Sequence, residues 1–541
     1  MAEPRTSVTA WSPLQHSVFR AIWLATVVSN LGTWIQNVGA AWLMTSLSPS
    51  ALMVALIQTA ASLPMFLLSL PAGALADVVN RRRLLLFTQT WMLVMAAALA
   101  IVTWLGFMNA TALLLLTFLL GLGAALNGPA WQAIVPELVP KPEVSAAVAL
   151  SSVAFNIARA VGPAIGGLVI AASGPAATFA LNAVSFVAVI IVLYRWKSTE
   201  RTGALPLERF WGAMKAGVGY LRHSPSLRAV LIRSAVCVLF GSALWALLPL
   251  RTRNELHLGA TGYGVLLGCL GAGASIGASA LPRLRSKLSI DTLASGASVV
   301  FGAATAMLAL ADRFPVLCVA MLVGGFAWLA VLSSFNVAAM VSAPAWVRSR
   351  ALGVYMLVFH GGLALGSAAW GELANRTSLR VALLTSAAGL VLGIVAAARY
   401  SLNDVDNANL APSRHWSEPT IVHEIRHDQG PVVVTVEYQI DVRTADAFAA
   451  AARRLRAERL RDGALAWHLM VDIACPARHV EYFVVESWLE HLRQHERVTM
   501  ADKELQDYVN SFHDGPEPPR VSHFLVSDSP DAGSGAPDDK G

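Results

Sequence analysis

Charge is scarce in this chain. Asp, Glu, Lys and Arg make up 14% of its 541 residues, whereas soluble domains carry about 25%, and mean hydropathy is +0.56. That shortage excludes an ordinary water-soluble globule. Cysteine is sparse too: Cys237, Cys269 and Cys318 fall in apolar runs and Cys475 in a polar C-terminal region, so no disulfide framework is expected. No Walker-type phosphate loop occurs in the polar segments, which argues against ATP as the energy source. Met1 to Pro13 is polar and the apolar run after it lacks a cleavage-type exit, so the first apolar run is expected to stay as an anchor.

What the chain has instead is length of hydrocarbon. A bilayer core about 30 Å thick needs roughly 20 apolar residues per helix, and windows of that kind occur twelve times before residue 400. They lie near 18–43, 51–76, 84–105, 110–131, 145–172, 175–194, 226–250, 261–282, 289–311, 315–341, 350–372 and 380–398. A basic stretch carrying Arg195, Lys197, Arg201, Arg209, Lys215 and Arg222 divides them into six plus six. The expected organisation is a six-helix half over 1–195, a hinge over 196–225, a second half over 226–400, a linker over 401–419, a soluble α+β domain over 420–527 and a disordered tail over 528–541.

Lys and Arg in the short loops set orientation. Fifteen fall on one side, among them Arg81, Arg82, Arg83, Lys141, the six hinge residues, Arg283, Arg285, Lys287, Arg348 and Arg350; Arg251, Arg253, Arg313, Arg376 and Arg380 face the other way. The first side is expected to be cytoplasmic, together with both termini, in a multi-pass protein of the cell (inner) membrane. The net charge of +6 follows from this asymmetry, so no nucleic-acid partner is expected.

Between the second and third runs stands Gly73-Ala-Leu-Ala-Asp77-Val-Val-Asn-Arg81-Arg82-Arg83. Gly73 permits close helix approach, Asp77 can accept charge-assisted bonds from Arg81 or a facing helix end, and the arginines suit an anionic leaflet. Gating is favoured over simple topological anchoring. The second half repeats the pattern weakly at Gly277 to Arg285, with Leu281 in the acid's place, as expected of parallel repeats. The fifth run holds Gly162-Pro163-Ala-Ile-Gly166-Gly167, where the proline removes a helix bond and the glycines admit a neighbouring helix.

These segments resemble the signature loop and the helix 5 exporter motif of the major facilitator superfamily. Ser29 to Gln36, Asn127 to Pro140, Phe155 to Pro163 and Ala246 to Leu250 resemble its transmembrane secretion effector subgroup, which includes enterobactin exporter-like proteins. Asn80 replaces the usual Gly of the loop and Val78 a common basic residue. The resemblance implies an all-α membrane fold of 12 helices and a secondary transporter, the helix 5 motif pointing to efflux of a small amphipathic metabolite, siderophore or drug.

An ionisable group at membrane depth is a functional candidate by default. Arg159 lies mid-run, with Asn156 three residues earlier on the same helical face. It is either a peg between helices or a positive element attracting anionic substrates. Asn30, Gln36, Asn37, Gln58, Asn127, Asn336 and His360 are further candidates for the substrate pathway, although interhelical hydrogen bonds explain buried amides equally well. Arg233 reads as structural. Asp77, Glu137, Asp291 and Glu372 all fall at helix ends, which leaves a coupling carboxylate unassigned.

Past residue 400 the composition turns soluble. Strand patterns at 431–442, 464–473, 480–488 and 521–526 and helical patterns at 444–461 and 489–512 give the order β-α-β-β-α-β, a ferredoxin-like unit. Arg459 to Ala464 and Glu486 to Arg497 resemble antibiotic biosynthesis monooxygenase-like modules, which implies dimerisation through this domain. Nine of thirteen histidines lie here; His491 and His495 have i,i+4 spacing, but a solvated, capped helix is favoured over a metal site, and no cofactor is expected. The alternative function is a membrane-tethered enzyme whose tail modifies a compound before export.

Overall fold

The computed structural model describes residues 9–196, 220, 222–344, 346–397, 399, 400, 402, 411, 413, 415, 416, 425, 426 and 428–526. Among the described residues, twelve helices are long and apolar enough to cross a membrane: α1 (Ser17–Leu47), α2 (Ala51–Val78), α3 (Arg81–Trp104), α4 (Ala110–Ile134), α5 (Val144–Ser173), α6 (Pro175–Arg195), α7 (Pro225–Leu250), α8 (Ala260–Arg285), α9 (Ile290–Leu310), α10 (Phe314–Val341), α11 (Arg348–Arg376) and α12 (Leu379–Ala396). Their starts are written in the sequence. Ser50, Asn80, Asn109, Ser289 and Ser378 each accept a bond from the backbone N–H three residues on, satisfying a donor that the first turn leaves open. Gly174, at φ +76°, makes the turn between α5 and α6, and Pro175 opens the second helix.

Several helices outrun the apolar windows by a few residues because long or polar side chains extend the last turn. The largest extension follows α7. Arg251 to Glu255 continue it as a π turn, and Arg251, expected in a loop, is buried. Its guanidinium pairs with Glu255 and Asp312 and donates to the carbonyl of Leu308, which makes that burial tolerable.

The chain divides into two compact units: Met1–Ala204, Leu231–Val337 and Gly353–Ser401; and Leu205–Val230, Ala338–Leu352 and Leu402–Gly541. In the first, α1 packs on α5 and α6, α2 on α4, α3 on α4 and α6, α5 on α8, and α9 on α12. Of the hinge, Lys197, Arg201, Arg209 and Lys215 lie outside the described residues, as do most of 401–419 and all of 528–541.

The second unit contains β1 (Val432–Gln439), α13 (Ala445–Arg461), β2 (Ala466–Val471), β3 (Arg478–Val485), α14 (Trp488–Arg497), α15 (Met500–Asn510) and β4 (Arg520–Leu525). The strands form one antiparallel sheet in the order β2-β3-β1-β4. Val434, Val436, Tyr438 and Phe483 alternate onto one face, where Phe448, Leu455, Trp467, Trp488 and Val509 are also buried. The single helix expected over 489–512 is two. Val498 is extended, and Thr499 with Asp502 forms a reciprocal capping box that begins α15.

Candidate transport pathway and latch

The arginine-rich turn ties α3 to α4 and to α6. The side chains of Asp77 and its neighbour positions 73, 74, 76 and 78 lie outside the described residues. Arg81 Nη1 donates to Glu137 Oε1 at 2.5 Å, just past the end of α4. Arg82 Nε and Nη2 donate to the carbonyls of Leu193 (3.0 Å) and Tyr194 (2.6 Å), in the last turn of α6 where the helix dipole is negative. Arg83 receives the cap, its N–H donating to Asn80 Oδ1. Glu137 was not anticipated as the partner of Arg81; the quoted segment Asn127 to Pro140 contains it, but a pairing across 56 residues has no local signal.

Two seams join the halves. On α5, a Cβ at Gly167 would stand 2.6 Å from the Ala260 carbonyl, and one at Gly264 of α8 would stand 2.6 Å from the Pro163 carbonyl. Only glycine allows backbones to approach so closely. Gly162 and Gly166 take the opposite flank, against Trp34 and Ile35 of α1. The other seam is α2 on α11: Thr59 Oγ1 donates to the Ala364 carbonyl at 2.8 Å, Gly371 abuts Ala55, and Gly361 abuts Phe66. At the same end of the bundle, Trp42 stacks on Tyr263 at 6.0 Å, while Arg253 lies 5.4 Å over Trp42 and donates to Thr45 Oγ1.

Arg159 sits where α5 meets α8 and is 8% exposed. Its carbonyl abuts Gly271, its Nη2 donates to Asn156 Oδ1 at 2.7 Å, and its Cζ is 5.8 Å from the Phe155 ring centroid. Nε has no hydrogen-bond partner. Among the described residues no carboxylate is in contact with the guanidinium, whose one side-chain hydrogen bond is to the Asn156 amide.

The remaining candidates divide. Gln36 Oε1 accepts from Asn182 Nδ2 at 2.7 Å, fixing α1 to α6. Asn127 Oδ1 accepts from Thr88 and Gln89, fixing α4 to α3. Gln58 donates to Ser62 within α2. Asn37 is exposed, whereas Asn30, Asn336 and His360 are half-buried; His360 Nδ1 is buried without a partner. Arg233 pairs with Asp291 and donates to Ser295 Oγ at 2.6 Å, the structural role that its place near a helix end suggested.

In the second unit, α14 is capped by Ser487 as expected, yet it is not solvated. Trp488, His491 and Gln494 face inward, and His491 and Gln494 are each 1% exposed. His491 Nε2 meets His495 Nε2 at 3.3 Å, and the His523 ring of β4 lies 4.7 Å from that of His491. Burial, with the neighbouring imidazoles, pushes His491 down to about 3 and His495 to about 4. Nearby, Arg497 lies 4.5 Å over Trp346, and Arg461, bonded to Asp462 and Asp502, lies 5.8 Å from Tyr220. Tyr220 donates to the Ser342 carbonyl at 2.7 Å.

The chain is 27% identical over 402 residues to the multidrug efflux pump Tap of Mycolicibacterium fortuitum, covering 72% of this chain and 97% of that one. It is 27% identical over 278 residues to the staphyloferrin A transporter of Staphylococcus aureus, covering 51% of this chain and 69% of that one. In fold it matches a bacterial homologue of the human lysosomal transporter Spinster, solved inward-facing and occupied, with a TM-score of 0.59 at 14% identity over 72% of this chain and 98% of that one. These relatives are transporters, and the tethered-enzyme alternative gains nothing from them. Residues 8–531 match the family described as transmembrane secretion effector, and the chain belongs to that family of major facilitator transporters.

Proposed function

We propose that the chain is a secondary exporter working by alternating access, carrying a small amphipathic metabolite, siderophore or drug out across the cell (inner) membrane. The observation that carries this reading is the seal formed by Trp42 on Tyr263, Arg253 on Thr45 and Gly371 on Ala55. These contacts tie the two halves together at the end of the bundle opposite the arginine-rich turn, which supports loading of substrate from the cytoplasmic side. The names of the relatives, a multidrug efflux pump and a siderophore transporter, support the substrate class. Purified protein in proteoliposomes should expel a fluorescent drug against its gradient, and accumulation with no expulsion in either protein orientation would overturn the direction. Both termini, the hinge and Asn80 belong on the cytoplasmic side; labelling of an Asn80→Cys variant from outside intact cells would invert it.

Within the pathway, Arg159 supplies positive potential for anionic groups, and its lack of a carboxylate neighbour supports that over the role of a peg. The segments 73–83 and 162–167 act as gate and as sliding interface respectively.

Residues 420–527 form a ferredoxin-like module of the monooxygenase-like type, acting in dimerisation. Support comes from the strand order and from an apolar sheet face, Val433, Tyr482, Val484 and Phe524, opposite the packed helices. Full-length protein that stays monomeric in mild detergent would argue against it.

A further inference from the structure

Between α9 and α10 runs a slot of ≈ 580 Å³ with Val300, Ala304 and Met307 on one wall and Val316, Val319 and Ala320 on the other. Every lining residue is apolar, so water entering it would find no hydrogen-bond partner. Both helices are membrane spans, and the slot therefore opens onto hydrocarbon.

The slot is lined by side chains from both helices. Its floor is set by small residues: Ala304 and Ala320 are buried, and a Cβ at Gly324 would lie 3.0 Å from that of Ala304. Behind the slot, Phe301 of α9 packs on Trp328 of α10, with ring centroids 4.8 Å apart. At the mouth, the α9–α10 turn is held by Arg251, which donates to the Ala311 carbonyl and Asp312 Oδ1, and by Arg380, which donates to the Ala309 carbonyl. Arg313 stands exposed in the same turn.

We infer that this slot is a binding site for one acyl chain of an anionic phospholipid whose phosphate is held by Arg313. From Val299 to Met307 the wall runs eight helical rises, about 12 Å at 1.5 Å each, close to the roughly 15 Å depth of one leaflet. Since lipid tails are as apolar as the slot, residence is set by the fit of a chain between fixed walls and by the headgroup charge. A phosphate accepts charge-assisted bonds from a guanidinium, whereas the zwitterionic choline head partly cancels that attraction. The inference rests on the two helices spanning a bilayer and is independent of the direction of transport.

Native mass spectrometry of the full chain, titrated with 16:0/18:1 phosphatidylglycerol or phosphatidylcholine during delipidation, tests it. Wild type should retain one phosphatidylglycerol. Ala303→Trp fills the slot from its exposed side, and Val319→Trp is a second filling variant at an exposed position; each should retain at least five-fold less lipid while melting at the wild-type temperature. Arg313→Gln should abolish the preference for phosphatidylglycerol and keep chain binding. Equal retention by wild type and both filling variants would overturn the site, as would displacement of the lipid by a transported drug, which would make the slot part of the substrate's path.

Discussion

The Arg497 guanidinium carbon lies 4.5 Å above the Trp346 ring, while its Nη1 donates to the Asp462 carbonyl at 2.9 Å and pairs with Glu490. Trp346 lies between α10 and α11, so the C-terminal region is attached to the chain by more than its linker. Trp346→Ala should release this contact at a cost of about 1–2 kcal/mol, the value of a partly desolvated cation–π pair. Hydrogen exchange across residues 488–510 would show it as faster opening; unchanged protection would mean that the stacking contributes nothing.

Export should nevertheless survive loss of this region. A chain ending at residue 400 should remain folded and move substrate in proteoliposomes, because the seams of α5 with α8 and α2 with α11 are complete without it. Failure of transport by a well-folded truncation would assign the region a direct part in the cycle.

Arg159→Ala should cut export of anionic substrates about ten-fold or more, the worth of one hydrogen bond to a charged group at 1.5–3 kcal/mol, and leave neutral substrates nearly unaffected. Parallel transport assays on one anionic and one neutral compound decide the matter. Equal loss for both would make Arg159 the interhelical peg.

Gly264→Val should destabilise the bundle by about 1–3 kcal/mol through overpacking, since the new Cβ would stand 2.6 Å from the Pro163 carbonyl. Thermal melting in detergent measures this directly. Gly259→Val, where a Cβ meets nothing within 4 Å, is the control and should melt near wild type.

The histidines of α14 predict an acid-sensitive second unit. His491 and His495 are depressed to about 3 and about 4, and His415 and His523 are lowered as well, chiefly by burial. An unfolded chain, with imidazoles near 6.5, then binds more protons than the folded one between pH 6.5 and about 4. Stability is fully present above pH 6.5 and falls as pH drops, His491 being the most buried of the four and contributing most. Hydrogen exchange of β3 measured at pH 7.5 and 5 should show marked loss of protection at the lower value, and His491→Phe should flatten the dependence.

The twelve spans were legible because a bilayer demands long apolar runs whatever the tertiary contacts. So were the strands of the C-terminal region, whose alternation at Val432 to Tyr438 reports one buried face. What escaped was long-range or local in another sense. The partners of Arg81 and Gln36 lie 56 and 146 residues away, and nothing in a linear pattern selects them. The break at Val498 was missed because apolar periodicity runs through it, while the Thr499–Asp502 capping box that causes it is a local signal the periodicity masks. Burial of His491 escaped because an i,i+4 histidine pair looks polar, although Trp488 and Leu492 mark the same face as inward.

A rocking motion requires something stiff to turn, and the three arginines after α2 provide it. Arg81 staples the start of α3 to the end of α4, and Arg82 hooks the final carbonyls of α6, so among the described residues the side-chain bonds of these two arginines stay within their own lobe. They brace the first lobe as a single lever, so the gate proposed at 73–83 would move with that lobe as one body while the proposed sliding takes place along the glycine-lined faces of α5 and α8.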